Sequence, residues 1–154
     1  MRRRVLVLLA LLPTVVLADG PRHFSLVASF VPARKPGGAA NVAVSFRALD
    51  PGLRLNESPA PRLKLDFEQT VLVDKQPPAS GSSTSGGASV ADYDAITARY
   101  HDLATPVMFP VAIAPTAPRG EQMVKASIVF FYCSQREAWC RRGVSEVEIP
   151  VVVP

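Results

Sequence analysis

The 154-residue sequence predicts an all-β chain, an antiparallel β-sandwich of seven to eight strands. Three observations carry this. Apolar residues recur with period two over most of the chain after residue 23, turn signals built on Pro and Gly break that pattern about every ten residues, and no long helical stripe is sustained. The composition, 48% hydrophobic and 19% charged, suits one domain with a real core and excludes a coiled coil or a wholly disordered chain.

The first element is not part of that domain. Arg2, Arg3 and Arg4 precede the apolar run 5–17, and small Ala18 follows, with Val16 two residues before it. A basic start, an apolar stretch and a small-residue site predict a secretory signal peptide over 1–18, with the mature domain spanning 19–154. The run is shorter than the ~20 residues a spanning helix needs, so no membrane span is expected after cleavage. The formal charge of +4 includes those three arginines, and without them the chain is near neutral. No basic stripe with interleaved aromatics remains, which excludes a nucleic-acid partner.

The strands follow in order. Phe24, Leu26, Ala28 and Phe30 alternate with Ser25, Val27, Ser29 and Val31, and Pro32 stops them. Lys35-Pro36-Gly37-Gly38 is a turn, leading to Val42, Val44 and Phe46 on one face of the next strand. Asp50-Pro51-Gly52 turns the chain again, and Leu53 and Leu55 follow. Leu63, Leu65 and Phe67 alternate with Lys64, Asp66 and Glu68, and Val71-Leu72-Val73 closes this half.

Residues 76–89, QPPASGSSTSGGAS, contain neither a large apolar residue nor a charge. Such a stretch cannot repay its ordering entropy and predicts a flexible loop inserted into one domain. Residues 90–103 place Tyr93, Ile96 and Tyr100 at helical spacing but read better as irregular structure. Val107, Phe109, Val111 and Ile113 resume the alternation, with Pro110 arguing for a sheet edge. Pro118-Arg119-Gly120 turns into the strongest stretch, 123–133. There Val124, Ala126, Ile128, Phe130 and Tyr132 face one way and Lys125, Ser127, Val129 and Phe131 the other. Val147, Ile149, Val151 and Val153 make the last strand. Strand number and turn spacing suit an immunoglobulin-like sandwich, and a closed small barrel satisfies the same periodicity.

The chemistry sits in one hairpin. Cys133 and Cys140, the two cysteines, are separated by six residues, one ending a strand and the other just ahead of the next. Residues facing across a hairpin neck lie within disulfide reach, and export favours oxidation. One reading is a structural staple, contributing roughly 2.5 kcal/mol on the chain-entropy model. The other is a redox pair, which needs an accessible sulfur and a thiolate when reduced. Arg136, Arg141 and Arg142 favour a thiolate while Glu137 opposes it. Trp139, between the cysteines, either covers the sulfurs or packs on the sheet beside Tyr132.

Other constellations carry little. His23 and His101 with the two cysteines match no metal spacing, no blue-copper His and Met follow Cys133, and no cofactor motif occurs. No G-x-S-x-G or phosphate loop is present, and Asp92, Asp94 and Asp102 read as a polar loop. Asn56-Glu57-Ser58 matches a glycosylation sequon whose use the following Pro59 disfavours.

Several segments carry a resemblance to a known family: Lys35-Pro36-Gly37-Gly38, Leu49-Asp50-Pro51-Gly52-Leu53-Arg54-Leu55-Asn56 and Ala60-Pro61. They continue with Phe109-Pro110-Val111, Phe131-Tyr132-Cys133, Trp139-Cys140 and Glu148-Ile149-Pro150-Val151. In these the chain resembles the N-terminal periplasmic domain of the thiol–disulfide interchange protein DsbD and its stand-alone relatives. The resemblance implies an immunoglobulin-like periplasmic domain that exchanges electrons with a thioredoxin-like oxidoreductase or a membrane reductase. It implies that Cys133 and Cys140 are the redox pair, although the gap between them is one residue longer than in the family's well-studied members. The family's membrane reductase and thioredoxin domains have no counterpart in this sequence. The alternative expectation, from a different class, is a non-catalytic binding or accessory sandwich with a structural hairpin disulfide.

Overall fold

The computed structural model describes residues 23–34, 39–78 and 99–154. The expected signal peptide, the turn at 35–38, residues 79–89 of the expected loop and residues 90–98 lie outside the described residues.

Eight strands are described: β1 (Phe24–Val31), β2 (Ala40–Ala48), β3 (Leu53–Leu55), β4 (Arg62–Leu65), β5 (Leu72–Asp74), β6 (Val107–Ile113), β7 (Gly120–Ser134) and β8 (Trp139–Val153). All their pairings are antiparallel and form two four-stranded sheets. The first runs β1-β2-β6-β5. In the second, β7 is central, with β8 along one side and both β3 and β4 on the other.

No described strand pairing joins the two sheets, so the described strands form a sandwich and not a closed barrel. Period-two alternation sends one face of each sheet inward. Val42, Val44, Phe46, Phe109 and Val111 come from the first sheet, and Leu55, Val124, Ile128, Phe130, Ile149 and Val151 from the second, all buried. Across the interface Phe46 meets Phe130 with ring centroids 5.3 Å apart, and Phe24 meets Tyr132 at 5.4 Å and Phe130 at 5.6 Å. These are edge-to-face contacts, each adding about 0.5–1.5 kcal/mol beyond the area it buries.

Three expectations change. The β6 strand is interior, between β2 and β5, although it contains Pro110. The Pro110 carbonyl accepts from the Lys75 N–H at 3.1 Å, so its ring nitrogen faces the same way, one residue past the end of β5. The missing donor thus falls where the ladder stops, which is locally an edge. Phe67 does not continue β4 inward. The Asp66 carboxylate accepts the Glu68 N–H at 3.0 Å, this local turn outcompetes the strand, and Phe67 is left 93% exposed. Finally, β8 begins at Trp139, well ahead of the expected strand around Val147–Val153, so Cys140 lies inside the strand and not ahead of it.

Gly143 lies opposite Phe130 in the β7–β8 register. A Cβ there would stand 2.6 Å from Phe130 Cζ, inside the aromatic cluster. A Gly143→Ala substitution should therefore destabilise the fold by about 1–3 kcal/mol, measured by urea unfolding. An unchanged midpoint would show that the ring moves aside freely.

Candidate functional site

The β7–β8 ladder runs without interruption from Gly120↔Val153 to Ser134↔Trp139, and it makes Cys133 and Cys140 direct cross-strand neighbours. They form a disulfide with Cα atoms 4.0 Å apart. The phase of the ladder explains the closeness. Asn56 donates its N–H to the Phe131 carbonyl at 2.9 Å and Gln135 donates to the Gly52 carbonyl at 3.0 Å. Odd-numbered residues of β7 therefore turn their peptide groups toward β3. Cys133 and Cys140 occupy a non-hydrogen-bonded pair, the narrower of the two antiparallel spacings and the one that suits a disulfide.

The turn that closes the hairpin spans residues 135–138. Glu137 donates its N–H to Ser134 Oγ at 3.2 Å, and Ala138 takes a left-handed conformation with φ 53°. The two cysteines differ in exposure. Cys133, on the central strand, is only 4% exposed, whereas Cys140, on the outermost strand, is half-buried.

Beyond β3 the chain pairs briefly with residues 99–101. Asn56 bridges Tyr100, Glu57 donates to the Arg99 carbonyl and His101 to the Leu55 carbonyl, each at 2.9 Å. This pairing buries Asn56 to 1% exposure and sets its Oδ1 3.4 Å from Cys133 Sγ. In the disulfide that sulfur carries no hydrogen, so the approach is a contact. Reduction supplies an S–H that can donate to it. No sequence signal ties Asn56 to Cys133, which lies 77 residues away along the chain. Asn56 is too buried to accept a glycan, which disposes of the sequon in the folded chain.

Strand alternation sorts the other candidates. Trp139 lies opposite Ser134, on the inner face with Tyr132, while the disulfide is on the outer face. Its ring packs 5.6 Å from Tyr132 and 5.5 Å from His23, Glu137 accepts its indole N–H, and Arg141 lies over it at 4.4 Å. Trp139 thus packs on the sheet beside Tyr132 rather than over the sulfurs. Arg141 is engaged on that inner face, and Arg136 reaches Asp50 at 4.0 Å. Of the three arginines, Arg142 shares the outer face with Cys140. His23 and His101 have buried Nε2 atoms without a hydrogen-bond partner among the described residues. No group of three or more His, Cys, Asp or Glu is placed to hold a metal among the described residues.

Burial raises the Tyr132 hydroxyl above the ordinary tyrosine range, opposed by the nearby Arg141 charge. The folded state then holds this proton more tightly than the unfolded state does. The associated stability is intact below the ordinary pKa of 10.0 and is lost as pH rises through the raised value. Unfolding free energy should fall more steeply above pH 10 in the wild-type chain than in a Tyr132→Phe variant, followed by urea melts across that window. Parallel curves would remove Tyr132 as the source.

Comparisons of the chain with known protein families, with characterised proteins and with solved structures give no match.

Proposed function

We propose that the chain is an exported, periplasmic thiol–disulfide interchange domain. In this reading the sandwich is of the immunoglobulin-like type, and the Cys133–Cys140 pair relays electrons to or from a thioredoxin-like oxidoreductase or a membrane reductase. The observation that carries the reading is the asymmetry of the disulfide. Half-buried Cys140 lies on an outer strand, and buried Cys133 sets its sulfur beside Asn56 Oδ1, an acceptor for its proton once reduced. The resemblance to the DsbD N-terminal domain supports the same assignment.

The step balances as a two-electron exchange. A thiolate of a reduced dithiol partner attacks Cys140 Sγ, the Cys133–Cys140 bond breaks, and its electron pair leaves on Cys133. That sulfur takes a proton and donates it toward Asn56. The partner's second thiolate then attacks the partner sulfur of the mixed disulfide and releases Cys140, which is protonated. The partner leaves oxidised and this chain reduced, and the same steps in reverse pass electrons onward.

A Cys133→Ser variant should trap a mixed disulfide through Cys140 with a thioredoxin-like protein, read by non-reducing electrophoresis and mass spectrometry. The wild-type pair should equilibrate with that partner at a potential above roughly −300 mV. Reduction should leave the sandwich folded, at a cost of roughly 2.5 kcal/mol in stability. If neither Cys133→Ser nor Cys140→Ser traps a partner, and the bond resists reduced thioredoxin-like proteins, the chain is a binding or accessory module with a structural hairpin disulfide.

A further inference from the structure

β8 is the outermost strand of its sheet, and no described strand pairs with its far side. The phase of the ladder determines which groups it offers there. The Lys125 carbonyl, like that of Phe131, is bonded on the β4/β3 side, by Asp66 N–H at 3.2 Å, so one phase holds along β7. Odd-numbered residues of β8 consequently bond to β7, and the peptide groups of Cys140, Arg142, Val144, Glu146 and Glu148 point outward. Pro150 ends this row, having no N–H. A long edge of unpaired donors and acceptors is a template for another strand.

The side chains on that edge have a particular symmetry. Arg142 and Glu146 stand equally far from Val144, which is 53% exposed. Arg142 and Glu146 are exposed and enter no ion pair among the described residues, the one such pair being Arg136–Asp50. The sequence is therefore self-complementary when the strand runs antiparallel to itself.

We propose that a second copy of this chain docks on this edge through antiparallel β8–β8 pairing about a twofold axis at Val144. Val144 then meets Val144 of the second copy, Arg142 meets Glu146, and Cys140 meets Glu148, all through outward-facing peptide groups. Directly opposed residues of unlike charge attract on a sheet surface, and like charges repel. That selects the register. An axis at Arg142 or Glu146 would set like charges on each other. An axis at Ser145 would set Val144 against Glu146 and draw Pro150 into the ladder. With the axis at Val144, Pro150 faces residue 138 of the second copy, beyond the end of its β8, where a missing donor costs nothing. The interface is isologous, as twofold closure requires, and it joins the two sheets into one continuous sheet.

Sedimentation velocity of the oxidised chain at low salt, over about 1–500 μM, should show a concentration-dependent monomer–dimer equilibrium. Arg142→Glu and Glu146→Arg should each weaken association at least about tenfold, and the double variant should restore it to within about threefold of wild type. Val144→Pro removes a donor that points away from β7 and should abolish the dimer while circular dichroism stays unchanged. If that variant does not fold, the charge-reversal set decides. The proposal is overturned by a chain that stays monomeric throughout, by a dimer indifferent to Glu146→Arg, or by a double variant no better than its single parents.

Discussion

The register between β7 and β8 is the constraint on which the rest depends. One phase, held from Gly120↔Val153 to Ser134↔Trp139, decides at once which side chains enter the core and which peptide groups bond to which neighbour. A slip of one residue would move Phe130 and Tyr132 to solvent and Cys133 into the core, because side chains alternate with period two. The inter-sheet aromatic contacts of Phe130 and Tyr132 with Phe24 and Phe46 make such a slip costly. Gly143 removes the one side chain that would contest the position of the Phe130 ring.

The same alternation separates packing from chemistry. Tyr132 and Trp139 meet edge-to-face on the inner face at the end of the hairpin, with Arg141 over the Trp139 ring and His23 against both aromatics. The disulfide occupies the outer face of the same residue rows. Its sulfurs are therefore bounded by the central strand and Asn56 on one side and by the outermost strand on the other. That arrangement leaves Cys140 the more exposed residue of the pair and Cys133 the more buried one. It also means that a charge adjacent in sequence, such as Arg141, acts on the opposite face from the sulfurs.

Much of the fold was legible in the chain. The inward sets Val42-Val44-Phe46, Phe109-Val111 and Val124–Tyr132 follow from alternation alone, and each is buried. Where pattern and structure part, a local signal reaches less far along the chain than the pattern implies. Pro110 signals a missing donor, but only pairing shows that the absence falls one residue past β5. Phe67 keeps the apolar rhythm, but the Asp66 side chain turns the backbone out of the strand before it arrives. The candidate site was half legible. The cysteine spacing placed the pair at a hairpin, whereas Asn56 lies far away in sequence and comes beside Cys133 through a backbone bridge with Tyr100.

By itself the sequence determined the class of the fold, the inward face of each long strand and the proximity of the two cysteines. These are local properties, written in period-two patterning and short loop length. Only the tertiary structure decided that the sheets form an open sandwich rather than a barrel, since periodicity is the same for both. It also decided that Cys133 is more deeply buried than Cys140, that Trp139 turns inward, and that β8 lies at the outer edge of the described sheet. These depend on which strands lie side by side. Strand order is set by contacts between residues distant in sequence, and no local pattern along the chain encodes it.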